Sequence, residues 1–205
     1  MDVVIIGGVG HVGLPLGLVL ADHGHRVVAY DTDVGAVERV LGGSMPFLED
    51  GAPELLAKVL HSGTFSASTD PAVVSDAEVV VVVIGTPVDE HLNPDPSAVL
   101  VALEEIADRF RDGQLVVLRS TVFPGVTRRV EAWFAENHPG VDVSFCPERI
   151  AEGFALTVAC PVIRVGATST GSPQTVYNGG LLRSTVRYWD RDRQRPGLPR
   201  NVAAL

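Results

Sequence analysis

The stretch Val3-Val4-Ile5-Ile6-Gly7-Gly8-Val9-Gly10-His11-Val12-Gly13-Leu14-Pro15-Leu16-Gly17-Leu18-Val19-Leu20 decides how the rest of the chain is read. Val3 to Ile6 are apolar and β-branched, the mark of a short strand buried on both faces, as in a parallel sheet. Leu14 to Leu20 reads as an apolar helix with Pro15 in its first turn, where a missing N–H is tolerated. Between the two, Gly8, Gly10 and Gly13 fit the spacing G-x-G-x-x-G. Strand, glycine turn and helix in this order open a βαβ unit that binds a dinucleotide. On this reading the first glycine permits the tight turn, the second lets a pyrophosphate approach the backbone, and the third lets helix and strand pack closely. The helix N-terminus adds unpaired N–H groups and the positive end of a dipole.

Outward from this motif, His23-Gly24-His25 ends the helix and Arg26 to Tyr30 forms a second strand that runs into Asp31. Asp31 lies 18 residues after Gly13, where a carboxylate accepts hydrogen bonds from the ribose hydroxyls of NAD and repels the 2′-phosphate of NADP. Asp33 is a second candidate for that duty. NAD is the expected cofactor, and FAD, with a similar first βαβ unit, is the alternative. His11, His23 and His25 lie near the loop. No structural context supports a metal cluster, so the three are expected to face solvent and no metal is assigned.

Alternation continues along the chain. Helices are expected over Val34–Leu41, Glu54–His61, Ser97–Phe110 and Thr127–Asn137, and strands over Ala77–Ile84, Leu115–Leu118, Val141–Phe145 and Pro161–Val165. Ser97 is the expected N-cap of its helix, and Asp112-Gly113 its stop. Strands alternating with helices predict an α/β, Rossmann-like, doubly wound parallel sheet in a single domain over residues 1–166. After Gly166 the periodicity fails. Gly171-Ser172-Pro173 and Asn178-Gly179-Gly180 are turn signals, and residues 167–205 are expected to form an irregular, basic, poorly ordered tail.

Composition bounds the possibilities. The chain has 205 residues, 46% of them hydrophobic and 20% charged, which excludes a disordered protein. The net charge of −9 argues against nucleic acid as a partner. From Arg183 onward, six Arg and two Asp give the tail +4, so the remainder carries −13. No apolar run approaches the ~20 residues that span a bilayer, and no membrane association is expected. Cys146 and Cys160 are too few for a disulfide framework and lack metal-ligand spacing, so they read as structural thiols in a reducing cytoplasm.

In an open parallel sheet, ligands bind beyond the carboxyl ends of the strands. Gly85-Thr86-Pro87, Arg119-Ser120-Thr121-Val122-Phe123-Pro124-Gly125 and Cys146-Pro147-Glu148-Arg149-Ile150-Ala151-Glu152-Gly153 each follow an expected strand and set hydroxyls or charges beside Pro or Gly. With the glycine loop and Asp31-Thr32-Asp33, these pieces resemble, in the same order, the N-terminal domain of the UDP-glucose/GDP-mannose dehydrogenases, the nucleotide-sugar 6-dehydrogenases. The likeness runs to about residue 166. The stretch Thr86-Pro87-Val88-Asp89-Glu90-His91-Leu92-Asn93-Pro94-Asp95, together with Pro147-Glu148-Arg149, looks most like the branch acting on UDP-N-acetylmannosamine.

The resemblance implies oxidation of the C6 alcohol of a UDP-sugar to a carboxylate, in polysaccharide biosynthesis. Two hydride transfers consume two NAD, with a cysteine holding the aldehyde and then a thioester. Carried over by position, Gly8, Gly10, His11, Val12, Gly13 and Asp31 hold NAD, and Thr86 and Thr121 line its nicotinamide side. Glu148, Arg149 and Ile150 contact the sugar nucleotide. Thr121, Glu148 and Glu152 are the catalytic candidates, Glu152 falling where some members activate water. A partly desolvated Glu has its pKa raised toward that of a general base.

The departures are as informative. His11 stands where the family usually has Tyr. The family's catalytic Cys, in a Gly-Gly-Ser-Cys-like motif, and its active-site Lys on the domain-linking helix have no counterpart here, and the lone Lys58 sits in an early helix. Little activity is therefore expected of this chain alone, and a complementing C-terminal half or a homo-oligomer is the partner to look for. Loss of acidic residues, excess Arg and lost periodicity suit a truncated or frameshifted gene, with an evolved short form as the rival. The alternative function is a dinucleotide-binding module without chemistry.

Overall fold

The computed structural model describes residues 1–85, 97–120, 125–146 and Leu156. Its elements are β1 (Asp2–Ile6), α1 (Gly13–Asp22), β2 (Arg26–Tyr30), α2 (Val34–Leu41), α3 (Ala52–Ser62), β3 (Phe65–Ser68), β4 (Val79–Val82), α4 (Ala98–Glu104), β5 (Leu115–Leu118), α5 (Val126–Asn137) and β6 (Asp142–Phe145). Tight 3-10 turns at Pro71–Asp76 and Ala107–Arg109 complete the set. All six strands are parallel, in the order β3-β2-β1-β4-β5-β6. This is the Rossmann-like doubly wound sheet that the alternation predicts.

The strand sequences explain why both faces are covered. Successive side chains point to opposite faces, so a strand buried on both sides must be apolar throughout. Val79-Val80-Val81-Val82 and Leu115-Val116-Val117-Leu118 meet that demand, and every one of them is buried. Val3, Ile5, Val79, Val81, Leu115 and Val117 enter one core with α1, α2 and α3. Val4, Ile6, Val80, Val82, Val116 and Leu118 enter the other with α4 and α5. The amphipathic α5 reaches that second core through Val130 and Phe134. By contrast α1 is buried from Gly13 to Ala21, as an apolar helix must be. Among the described residues no helix is long and apolar enough to cross a membrane.

Three expectations are corrected. Phe65–Ser68 is a strand that the sequence pattern does not reveal. It is the sheet's edge, with β2 as its strand neighbour, and only Phe65 of its four residues is buried. The helix expected over Ser97–Phe110 ends at Glu104 and continues as a 3-10 turn. Its apolar spacing persists through Ile106 and Phe110, while the Ser75 hydroxyl donates to the Arg109 carbonyl at 3.0 Å and holds the tightened end. The strand expected over Ala77–Ile84 is confined to Val79–Val82. Pro161–Val165 and residues 167–205 lie outside the described residues.

The amino end of the sheet is closed by Gln114, which is 3% exposed. Its Nε2 donates to the carbonyls of Val74 (2.7 Å) and Ala77 (2.8 Å), and its Oε1 accepts from the Arg111 N–H at 2.9 Å. Gln114→Leu removes three hydrogen bonds and takes this partner from the buried Ala77 carbonyl, while the Val74 carbonyl keeps the Ala77 N–H, and a loss of about 2–3 kcal/mol is expected from urea unfolding. Immediately before β2, His25 is half-buried and its Nε2 has no hydrogen-bond partner among the described residues. Burial, then the chain's N-terminal charge and His23, lowers its pKa. The unfolded chain thus binds the extra proton first, below about pH 6.5. The His25 contribution is whole above that pH and is lost as the pH falls toward the lowered native value. Urea midpoints measured at about pH 7.5 and 5.5 should fall more for the wild type than for His25→Gln.

Candidate functional site

After β3 the chain crosses to the other side of β1, so the switch in strand order falls between β1 and β4. The crevice beyond their carboxyl ends is where an open α/β sheet binds its ligand. The glycine loop follows β1 there, and the Gly85 loop follows β4.

The glycines of the loop play distinct parts. Gly7, not Gly8, makes the tight turn, with φ 78°. The N–H groups of Gly7 and Gly8 both donate to the Tyr30 carbonyl at the end of β2, at 3.0 and 3.1 Å. A Cβ on Gly8 would lie 2.6 Å from both the Ala29 Cα and the Ile5 carbonyl oxygen. One on Gly13 would lie 2.3 Å from the Gly7 oxygen and 2.8 Å from the Gly8 Cα, so this glycine seats α1 against the turn. Gly10 meets only the Gly7 oxygen, at 3.5 Å, and leaves its face of the loop open. The open face lies over the N-terminus of α1, where Val12 holds the cap position without a side-chain cap and the first turn has no acidic residue. Among the described residues no carbonyl takes up the N–H of His11, Val12 or Gly13. This is an anion cradle built of backbone.

Asp31 stands at the loop's flank. Its Oδ2 accepts from the Val9 N–H and its Oδ1 from the Asp33 N–H, each at 3.2 Å, while its own N–H donates to the Ser68 carbonyl at 3.1 Å. The half-buried carboxylate is thereby fixed between β2, β3 and the glycine loop. Asp33 serves elsewhere: its Oδ1 caps α2, accepting from the Ala36 N–H at 2.9 Å. An open backbone cradle beside one oriented carboxylate fits the pyrophosphate and adenosine ribose of a dinucleotide.

The three histidines are not gathered into one site. His11 is exposed and stacks on Phe47, with ring centroids 4.2 Å apart. His23 is exposed at the end of α1, its Nδ1 2.7 Å from the Val19 carbonyl. His25, expected at the surface, is instead half-buried, because it leads into the buried strand β2. Among the described residues no three His, Cys, Asp or Glu are grouped to hold a metal.

Beyond β5 and β6, Arg119, Ser120 and Cys146 are buried at the carboxyl end of the sheet. The N–H groups of Arg119 and Ser120 both donate to the Val82 carbonyl, at 2.9 and 3.1 Å. The Arg119 Nη1 lies 3.5 Å from the Cys146 Sγ. Cys146, 5% exposed, belongs to the first core, as a structural thiol would. Thr86, Thr121, Glu148, Arg149, Ile150, Glu152 and Cys160 lie outside the described residues. The pattern reading overlooked the loop between α2 and α3. Its Met45-Pro46-Phe47-Leu48 run, set between Gly42-Gly43 and Gly51, is more apolar than a plain connection requires, and that is the signal it offered.

The sequence profile described as UDP-glucose/GDP-mannose dehydrogenase family, NAD binding domain, matches residues 1–176. The chain is 36% identical over 162 residues to a UDP-glucose 6-dehydrogenase of Rhizobium meliloti, covering 76% of this chain and 36% of that protein. It is 29% identical over 157 residues to a UDP-N-acetyl-D-mannosamine dehydrogenase of Methanococcus aeolicus, covering 75% and 35%. A ternary complex of GDP-mannose dehydrogenase from Pseudomonas aeruginosa superposes with a TM-score of 0.71 at 27% identity, covering 77% and 38%. The chain thus spans little more than a third of the length of these relatives.

Asp31 is the one oriented carboxylate beside the cradle among the described residues, and its charge is open to test. Asp31→Asn removes the charge and retains the shape. In equilibrium titrations it should weaken NAD binding by about tenfold or more and narrow the preference over NADP.

Proposed function

The chain belongs to the UDP-glucose/GDP-mannose dehydrogenase family as an NAD-binding domain, and on that premise we propose that it is the cofactor-binding part of a nucleotide-sugar 6-dehydrogenase. The observation that carries this reading is the open face at Gly10 over the uncapped start of α1, with Asp31 fixed beside it. NAD supplies a two-electron oxidation by accepting hydride. The chain's own residues bind and orient. The N–H groups of His11, Val12 and Gly13 take the pyrophosphate, and Asp31 takes the adenosine ribose hydroxyls. Thr86 and Thr121 line the nicotinamide side in this proposal, and Glu148, Arg149 and Ile150 contact the sugar nucleotide. Thr121, Glu148 and Glu152 hold or move protons around the reacting carbon and water.

UDP-N-acetylmannosamine is the favoured substrate, on the stretch Thr86–Asp95 and Pro147-Glu148-Arg149. UDP-glucose is the second reading, favoured by the 36% identity to the Rhizobium meliloti enzyme. The setting is the cytoplasm, in polysaccharide biosynthesis. Catalysis draws, in this proposal, on groups beyond the third of the relatives' length that these residues span. Cys146 does not fill the nucleophile's place, because a nucleophile must reach a substrate carbon and this sulfur lies in the core beside Arg119.

Titration of the purified chain with NAD, UDP-N-acetylmannosamine and UDP-glucose, followed by absorbance of NADH, tests the proposal. Saturable NAD binding, uptake of one UDP-sugar and no sustained NADH formation are expected. Steady turnover would overturn the division of labour. NAD binding without either UDP-sugar would favour the dinucleotide module without chemistry.

A further inference from the structure

The glycine loop has a neighbour that the binding of NAD does not by itself require. The ten residues from Gly42 to Gly51 join α2 to α3, and their middle is apolar. Leu48 is 96% exposed, yet Phe47 next to it turns inward. Its ring packs against the first core and stacks on the His11 imidazole, 4.2 Å between centroids and 29° between planes. The loop that presents Phe47 is itself tied down. The N–H groups of Gly43 and Ser44 return to the carbonyls of Val40 and Arg39. Glu49 is buried, its carbonyl accepts from the Ala52 N–H, and its Oε1 accepts from the Leu156 N–H at 3.2 Å.

We propose that Phe47 is a positioning residue for the cofactor's pyrophosphate, acting through His11. The inference rests on the NAD-binding reading above. His11 is the one residue between Gly10 and Val12, and its backbone N–H belongs to the cradle. Gly10 just before it and Gly13 two residues on carry no side chain to restrain this stretch of backbone. A ring stacked on the His11 side chain restricts it before the ligand arrives, so less ordering remains to be done on binding. Phe47 does this from a different segment, anchored independently of the ligand. The stack also places the family's unusual His11 in a role: it offers a flat face to Phe47, as an aromatic ring would.

The test is a double-mutant cycle on the full 205-residue chain, with NAD and adenosine as probes, read by calorimetry and by chemical-shift titration. Phe47→Leu and His11→Ala should each weaken NAD binding about three- to tenfold, and the double variant should be no weaker than the weaker single. Phe47→Tyr, which keeps a ring, should retain wild-type affinity. Adenosine, which has no phosphate, should bind all four variants alike. Additive losses, no loss, or an equal loss for adenosine would overturn the role. In the ligand-free wild type the His11 ring protons should be shifted by the Phe47 ring current, and His11→Ala remains testable should Phe47→Leu not fold. Failure of the wild type to bind NAD, with that ring-current shift intact, would refute the NAD reading and not the stack.

Discussion

A methyl group is what the turn between β1 and α1 has no room for, and the rest of the molecule is arranged around that constraint. Three backbones meet there. The turn leans on β2, where a Cβ at Gly8 would strike the Ala29 Cα, and on the segment after β4, where a Cβ at Gly7 would lie 2.7 Å from the Val83 carbonyl oxygen. The start of α1 closes on the turn itself at Gly13. Each obstacle is main chain, which cannot rotate away as a side chain does. The same closeness continues along α1, where a Cβ on Gly17 would meet the Phe65 ring at 3.0 Å and Ile5 Cδ1 at 3.2 Å. Small residues let this helix, apolar from Gly13 to Ala21, lie deep on the sheet with its N-terminus at the switch point.

How much of this can be read in advance depends on how local the cause is. β2, α2 and β5 fall on the residues that the pattern assigns, because each is bounded by a neighbouring Gly, Asp or Gln and filled by its own apolar run. β3 escapes because Phe65-Ser66-Ala67-Ser68 is strand by virtue of pairing with β2, a long-range cause. The motif's glycines are legible as a set, but their parts are not: which one turns and which one packs is decided by where Ala29, Val83 and the start of α1 come to lie. The place of Asp31 beside the loop is legible from its spacing. What distinguishes it from Asp33 is the helix that Asp33 caps. The Phe47–His11 stack joins residues 36 apart in sequence across two elements, and no periodicity announces such a pair.

The electrostatics of the site follow from what the loop lacks. A chain of net charge −9 is proposed to bind an anionic diphosphate, yet the only ionisable side chain from Gly7 to Gly13 is His11. Attraction must then come at short range, from N–H groups and the helix dipole, whose effect fades within the first turn. That makes geometry decisive. A lysine on a flexible stem tolerates displacement, whereas a row of N–H groups works only where the backbone holds it. Close packing at Gly8 and Gly13 fixes the loop's backbone, and the stack on His11 is proposed to serve the same end.

The two ends of the sheet are treated differently for the same reason. At the amino end, Gln114 hydrogen-bonds the carbonyls of Val74 and Ala77, and Arg26 pairs with Asp2 across β1 and β2. At the carboxyl end, beyond β1, no carbonyl among the described residues takes up the N–H groups of His11, Val12 and Gly13, while Asp31 is held in place. Buried polar groups are costly unless paired, which is why the amino end is closed, whereas donors at an accessible loop can face water or an anion. The apolar strands supply the stability that this arrangement draws on. β1 and β4 flank the switch point, and Val79 to Val82 of β4 are buried on both faces. Rigid strands below and backbone donors above are what a site needs when it recognises its ligand by position more than by charge.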